Sequence, residues 1–201
     1  VNSGTSTKGL TFVIGNKIEL DDKFVSIGTK NYPFCGTFKC KDILCSICNI
    51  NKPLFGYIDG ASIQNVEISS GEIIDNSMYV GSLVGYSFNS TIMQCGNNAT
   101  VFSLNNTNAV YVGGIAGYVS NTIITQCLNT ASVNNTSMQV KKSYVGGIAG
   151  YIDEKSAVSD CYVLGTQDTL KISAQASDEL IKSTVWEKNN AVYYSTLQRA
   201  N

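Results

Sequence analysis

The eight residues Tyr111-Val112-Gly113-Gly114-Ile115-Ala116-Gly117-Tyr118 recur unchanged as Tyr144 to Tyr151. They recur once more, altered, as Tyr79-Val80-Gly81-Ser82-Leu83-Val84-Gly85-Tyr86, and a half copy, Leu54-Phe55-Gly56-Tyr57, precedes them. The full copies start at positions 79, 111 and 144, so they are 32 and 33 residues apart. A fixed period of this size marks a repeat architecture in which each unit buries its apolar face only against its neighbours.

The register extends past the octapeptide. Twelve residues after Leu54, Leu83 and Ile115 stand Val66, Cys95 and Cys127, and thirteen after Ile148 stands Cys161, which places a one-residue insertion in that copy. Three residues before these lie Ile63, Ile92, Ile124 and Val158. Apolar positions keep register while the connections vary in length, as stacked coils require. The units are rich in Val, Ile, Thr and Tyr and are cut by glycines, which favours strands. A helical repeat would carry its Gly pair at a cost of about 1 kcal/mol per glycine, and no window shows i, i+3, i+4, i+7 spacing. The reading is an all-β chain: a right-handed parallel β-solenoid of about five to six coils with three faces per coil. Gly113-Gly114 and Gly146-Gly147 are assigned to corners, where positive φ or close backbone approach is needed.

The chain has 201 residues, 14% of them charged, with a net charge of −1. No basic patch exists to hold phosphates, which argues against nucleic-acid partners. No apolar run is long enough for a membrane-spanning helix. The boundaries read as cysteine-rich opening coils over 1–53, repeats over 54–165 and a C-terminal cap over 166–201. Leu10 to Leu20 and Phe24 to Ile27 read as early strands and Leu170 to Ser173 as a last one. Ser177-Asp178-Glu179-Leu180-Ile181-Lys182 reads as a short helix with a Ser cap and acids in its first turn. With Trp186, Tyr193 and Tyr194 it would cover the open end of the stack.

The seven cysteines form two groups. Cys95, Cys127 and Cys161 share the inward repeat position and are expected to remain buried thiols. Cys35, Cys40, Cys45 and Cys48 crowd together with the spacing C-x4-C-x4-C-x2-C. A zinc site would want a second C-x-x-C pair or histidines, and the chain has no His. Two local disulfides fit an oxidising compartment better, and Cys35–Cys48 with Cys40–Cys45 is the nested choice among three pairings. Sequons stand at Asn89, Asn98, Asn105, Asn134 and Asn135. A chain with 20 Asn and 38 Ser or Thr generates about this many by chance, so they mark glycosylation only if used.

Several ordered blocks then carry a resemblance. Gly9-Leu10-Thr11-Phe12, Ile18-Glu19-Leu20, Val25-Ser26-Ile27-Gly28 and Pro33-Phe34-Cys35-Gly36-Thr37-Phe38 resemble the opening coil of the GLUG-repeat proteins. Leu54 to Ile58 with Ala61 to Val66 is similar to that family's second coil, and the octapeptides look like the GLUG motif itself. The resemblance covers about residues 9–165. These are surface proteins of bacteria and protists, with right-handed β-helix folds akin to filamentous-haemagglutinin-type adhesins. It implies a secreted or surface-attached protein and a capping helix before Val1-Asn2-Ser3-Gly4. Where the family has Gly-Thr-Phe-x-Gly, this chain has Gly36-Thr37-Phe38-Lys39-Cys40, and the added cysteine points to an oxidising compartment and a eukaryotic source.

Chemistry is sparse. The one arginine is Arg199. Asp59 and Asp153 follow Gly-Tyr-Ile in their copies, while the intervening copies carry Phe88 and Ser120. Three coils at ~4.8 Å each would part these carboxylates by roughly 14 Å, beyond the ~5–9.5 Å of a glycosidase pair. No enzyme activity is therefore expected, with a polysaccharide-acting enzyme as the distant alternative, and no metal or cofactor is expected. Tyr57, Tyr86, Tyr118 and Tyr151 recur in register, as do Tyr79, Tyr111 and Tyr144. Either they only stabilise the stack or they form ladders that bind a partner. The expected role is structural or adhesive contact with a protein or matrix partner at the cell surface, with self-assembly possible. The other reading is a carbohydrate-binding module that uses the Tyr57, Tyr86, Tyr118 and Tyr151 ladder.

Overall fold

The computed structural model describes residues 1–15, 17–41, 44–105, 109–135 and 142–164, together with the backbone of 181–188 and 192–199. Each octapeptide becomes two short strands joined through a two-residue corner, because Val, Tyr and Ala favour extended backbone while the central pair cannot pair within either strand. The opening coils contain β1 (Thr11–Ile14), β2 (Ile18–Glu19), β3 (Thr37–Cys40) and β4 (Cys45–Cys48). The first complete coil runs through β5 (Phe55–Asp59), β6 (Ser62–Gln64), β7 (Val66–Ile68), β8 (Glu72–Asp75) and β9 (Tyr79–Gly81). The next is β10 (Val84–Phe88), β11 (Thr91–Met93), β12 (Gly96–Asn97), β13 (Thr100–Ser103) and β14 (Ala109–Gly113). The third is β15 (Ala116–Ser120), β16 (Ile123–Thr125), β17 (Leu128–Asn129), β18 (Val133–Asn135) and β19 (Lys142–Gly146). The last, partial coil holds β20 (Ala149–Ile152), β21 (Ala157–Ser159) and β22 (Cys161–Leu164).

Strands of equivalent coils pair in parallel and in register, for example Tyr111 with Tyr144 and Ile92 with Ile124. The fold is thus an all-β parallel solenoid. Its β1-β3-β6-β11-β16-β21 sheet is six strands deep and its β20-β15-β10-β5 sheet four. Complete coils carry five short strands in five sheets, where the sequence suggested three longer faces. The predicted Leu10–Leu20 strand is split into β1 and β2, and of Phe24 to Ile27 only Ile27 makes a bridge, to Phe55.

Inward columns make the core. Val66, Cys95, Cys127 and Cys161 form one, with Cys45 aligned on Val66, and Ile63, Ile92, Ile124 and Val158 form the next. All are buried. The corners are not built as expected. Positive φ falls on Asn65, Gln94, Gln126 and Asp160, and on Asn89 and Asn121, rather than on Gly113 or Gly114. Polar side chains unbranched at Cβ tolerate the left-handed conformation better than β-branched ones, and here they turn the chain at each end of the six-stranded sheet. The Gly pairs serve close approach instead. A Cβ on Gly113 would stand 2.0 Å from the Ala116 oxygen, and one on Gly114 would stand 2.2 Å from the Gly147 oxygen and 2.5 Å from Asn129 Cγ.

Two polar ladders, not foreseen from sequence, run inside. Asn97 Nδ2 donates to Asn129 Oδ1 at 2.7 Å, and each Asn also pairs with the backbone two residues on. Both are fully buried, and their hydrogen bonding repays that burial. Along one corner, Ser90, Thr122 and Ser156 each accept an amide proton from the preceding coil: from Ala61, Ser90 and Thr122 respectively.

The helical cap is corrected. No helix occurs among the described residues, and Ile181 and Lys182 lie in β23 (Ile181–Lys188), which pairs with β24 (Val192–Arg199). β24 runs antiparallel along β22, so a strand satisfies that sheet edge. Leu170 to Ser173 and Ser177 to Leu180 lie outside the described residues.

Candidate functional site

The first and last residues of each octapeptide come together on the outside of the corner. Tyr79 meets Tyr86 and Tyr111 meets Tyr118 edge-to-face at 5.1 Å, and Tyr144 meets Tyr151 at 6.1 Å. Between coils the same rings stack. Tyr57, Tyr86, Tyr118 and Tyr151 follow at 5.6, 5.1 and 4.6 Å, and Tyr79, Tyr111 and Tyr144 at 5.6 and 4.9 Å. Diagonal contacts such as Tyr79–Tyr118 at 5.5 Å join the two ladders into one zipper of seven half-buried rings. Glycine beneath makes this possible. A Cβ on Gly117 would stand 2.5 Å from the Val80 nitrogen and 2.9 Å from the Tyr111 oxygen, so the backbones touch and the rings close over them. Burial, and then the neighbouring phenols, push Tyr57, Tyr79, Tyr111 and Tyr118 above the ordinary tyrosine value.

Two residues beyond the ladder tyrosines lies a mixed column. Asp59 pairs in register with Phe88, and Phe88 with Ser120. Asp153 follows Ile152, the partner of Val119. The two carboxylates are therefore three rungs apart, about 14 Å at ~4.8 Å per rung, too far to act on one bond. Asp153 accepts from Ser120 Oγ at 2.7 Å, from Ser156 Oγ at 2.6 Å and from the Asn121 and Lys155 amides. Burial would raise its pKa, but these donors, the two hydroxyls first, outweigh it and hold the carboxyl below its ordinary value. At the adjoining corner Asn121 Nδ2 donates to Asn89, whose own Nδ2 reaches Asp59 at 3.4 Å.

The cysteine pairing is half corrected. Cys40–Cys45 is a disulfide across the corner between β3 and β4. Cys35 and Cys48 are free thiols, not partners. They lie at opposite ends of that two-strand segment: Cys35 Sγ points to the Pro33 oxygen at 3.3 Å, while Cys48 Sγ lies 2.9 Å from Ser69 Oγ. Five thiols are thus free rather than three. Among the described residues no group of His, Cys, Asp and Glu is arranged to hold a metal ion.

The sequons divide. Asn89, Asn98 and Asn134 are exposed and Asn135 is half-buried. Asn105 is 8% exposed and its Nδ2 donates to the Asn76 oxygen at 2.6 Å.

No protein-family model and no curated protein matches the chain. A solved structure does: a protein of Bacteroides ovatus, provisionally named an immunoglobulin A1 protease, aligns with a TM-score of 0.53 at 21% identity. The alignment covers 80% of this chain and 62% of that one. At this identity the likeness shows the shared β-solenoid fold alone. The Cys40–Cys45 disulfide points to an environment outside the reducing cytoplasm. No helix of the described residues is long and apolar enough to cross a membrane.

Proposed function

We propose that this chain is a structural or adhesive solenoid of an extracellular or cell-surface protein, offering a repetitive face to protein or matrix partners. The GLUG-repeat resemblance belongs to the same proposal, carried by the octapeptide and the opening-coil blocks. The observation behind it is the tyrosine zipper. Within the stack, both faces of Tyr86, Tyr111 and Tyr118 are taken by other tyrosines, which leaves half-exposed edges repeated at every coil. Such a surface suits many weak, equivalent contacts better than one buried ligand. The disulfide agrees with an oxidising location.

The same stacking weakens the ladder as a sugar platform, since a sugar would have to displace a ring to reach a ring face. The solenoid neighbour's name speaks of proteolysis by that protein. This chain contains no histidine, so it cannot itself build a Ser–His or Cys–His pair. Antibodies against the folded chain should label intact, unpermeabilised cells of its source. Labelling only after permeabilisation would overturn the surface reading.

A further inference from the structure

Phe88 is 38% exposed and stacks on no other ring among the described residues, although it stands two residues from the zipper. It interrupts a column whose other members are Asp59, Ser120 and Asp153. A concavity lies on each side of it. One, of about 350 Å3, is walled by Lys30, Tyr57, Asp59 and Tyr86. The other, of about 250 Å3, is walled by Ser120, Asn121, Asp153 and Lys155. Phe88 lines both, so the two pockets adjoin across its ring, which stands as an aromatic ridge between them.

We propose that the two pockets act together as one groove for an uncharged, linear oligosaccharide, with Phe88 stacked under a central sugar and the flanking pockets taking its neighbours. A pyranose has one apolar C–H face, which suits an exposed phenyl ring, and a rim of hydroxyls that both donate and accept. The pockets supply both kinds of partner: the Asp59 carboxylate accepts, the Lys30 ammonium donates, the Asn121 amide does either, and the Ser120 hydroxyl, whose proton goes to Asp153, can accept. Extended pyranose chains advance by nearly one coil rise, ~4.8 Å, per sugar, so successive sugars meet successive rungs. The linings carry three carboxylates, Asp59, Asp153 and Glu154, against two ammonium groups, Lys30 and Lys155, so no cationic field selects a polyanionic glycan. A peptide has no purchase by strand addition here, because β10 and β15 are paired on both edges. The site rests on its own geometry, and the surface-scaffold reading stands or falls without it.

The test is calorimetric titration of the intact chain with cellotetraose, laminaritetraose, xylotetraose and chitotetraose, beside glucose and a heparin tetrasaccharide. At least one neutral tetrasaccharide should bind saturably, about tenfold or more tighter than glucose. Phe88→Ala should cut that affinity about tenfold or more while the melting temperature holds. Leu128→Ser, on the β12-β17 sheet, should leave it unchanged. Should Phe88→Ala fail to fold, Asp59→Asn must weaken the same tetrasaccharide. Absence of binding by every neutral tetrasaccharide overturns the proposal. So do equal affinities for glucose and tetrasaccharide, preference for heparin, or wild-type affinity in a folded Phe88→Ala.

Discussion

At Cys127 a thiol does the work of a small apolar residue. It is fully buried, its Sγ points to the Thr125 oxygen at 3.3 Å, and its pKa stands well above the ordinary thiol value. The adjacent thiols Cys161 and Cys95 contribute most to that rise, followed by burial. Cys127→Val should be nearly neutral, since Val66 fills the same column two rungs away. Cys127→Asp would bury an unpaired charge at a cost of several kcal/mol and should unfold the chain or drop its melting temperature steeply. A Cys127→Asp protein that melts within a degree or two of wild type would refute the inward placement. Asp153 offers the opposite case, a carboxylate held in its charged form. Its folded pKa is depressed, so its stabilisation is fully present above the unfolded value of 3.8 and is lost as pH falls through the folded one. Asp153→Asn should therefore melt below wild type at neutral pH, and the gap should close in the acid range below about pH 4. A gap of constant size down to acid unfolding would count against the hydrogen-bond assignment.

The unit of construction at the next scale is the corner between paired strands. Ser82 occupies the place of Gly114 one coil earlier, and its hydroxyl donates to the Gly114 oxygen at 2.6 Å. Gly114 itself has no such room: any Cβ there meets the Gly147 oxygen and Asn129, so Gly114→Ser should lose stability and Gly114→Val, whose branched Cβ cannot turn away, should lose more. Thermal melts should place Gly114→Val lowest, Gly114→Ser next and Ser120→Val well above both. Equal melting temperatures for the two Val variants would show that the corner has room. The tyrosine zipper belongs to this scale too. It exists because the corner brings the first and eighth residues of the motif side by side.

Over the whole molecule, cohesion is nearest-neighbour. Each coil rests on the coils above and below, so the middle of the stack is held from both sides, while in the first rung β1 pairs with β3 alone among the described residues. That first rung also exposes apolar residues: Leu10 at 51%, Val13 at 53% and Phe12 at 39%. Hydrogen exchange should grade accordingly, with amides of β11 and β16 exchanging about tenfold or more slowly than those of β1 and β2. Uniform protection from β1 to β16 would mean that the stack opens only as one unit.

The repeat spacing, the inward columns and the all-β class were legible in the chain itself, because a stack must place equivalent residues on equivalent sites and so writes its period into the sequence. The alignment of Asp59, Phe88, Ser120 and Asp153 was legible for the same reason. Other features were not. Asn, Gln and Asp take the positive φ at most corners, with Gly60 at one of them and the Gly113-Gly114 pair at none, because backbone torsion leaves little compositional trace when several polar residues can adopt it. The Asn97–Asn129 pair looks like any surface Asn until burial is known. Cys35 and Cys48 stay apart, and Asn105 is buried, through the path of irregular segments that carry no period. Whether the tyrosines cover the stack or offer their faces was likewise decided only in three dimensions, since register brings rings together but only the close-packed glycine corner sets one ladder against the other.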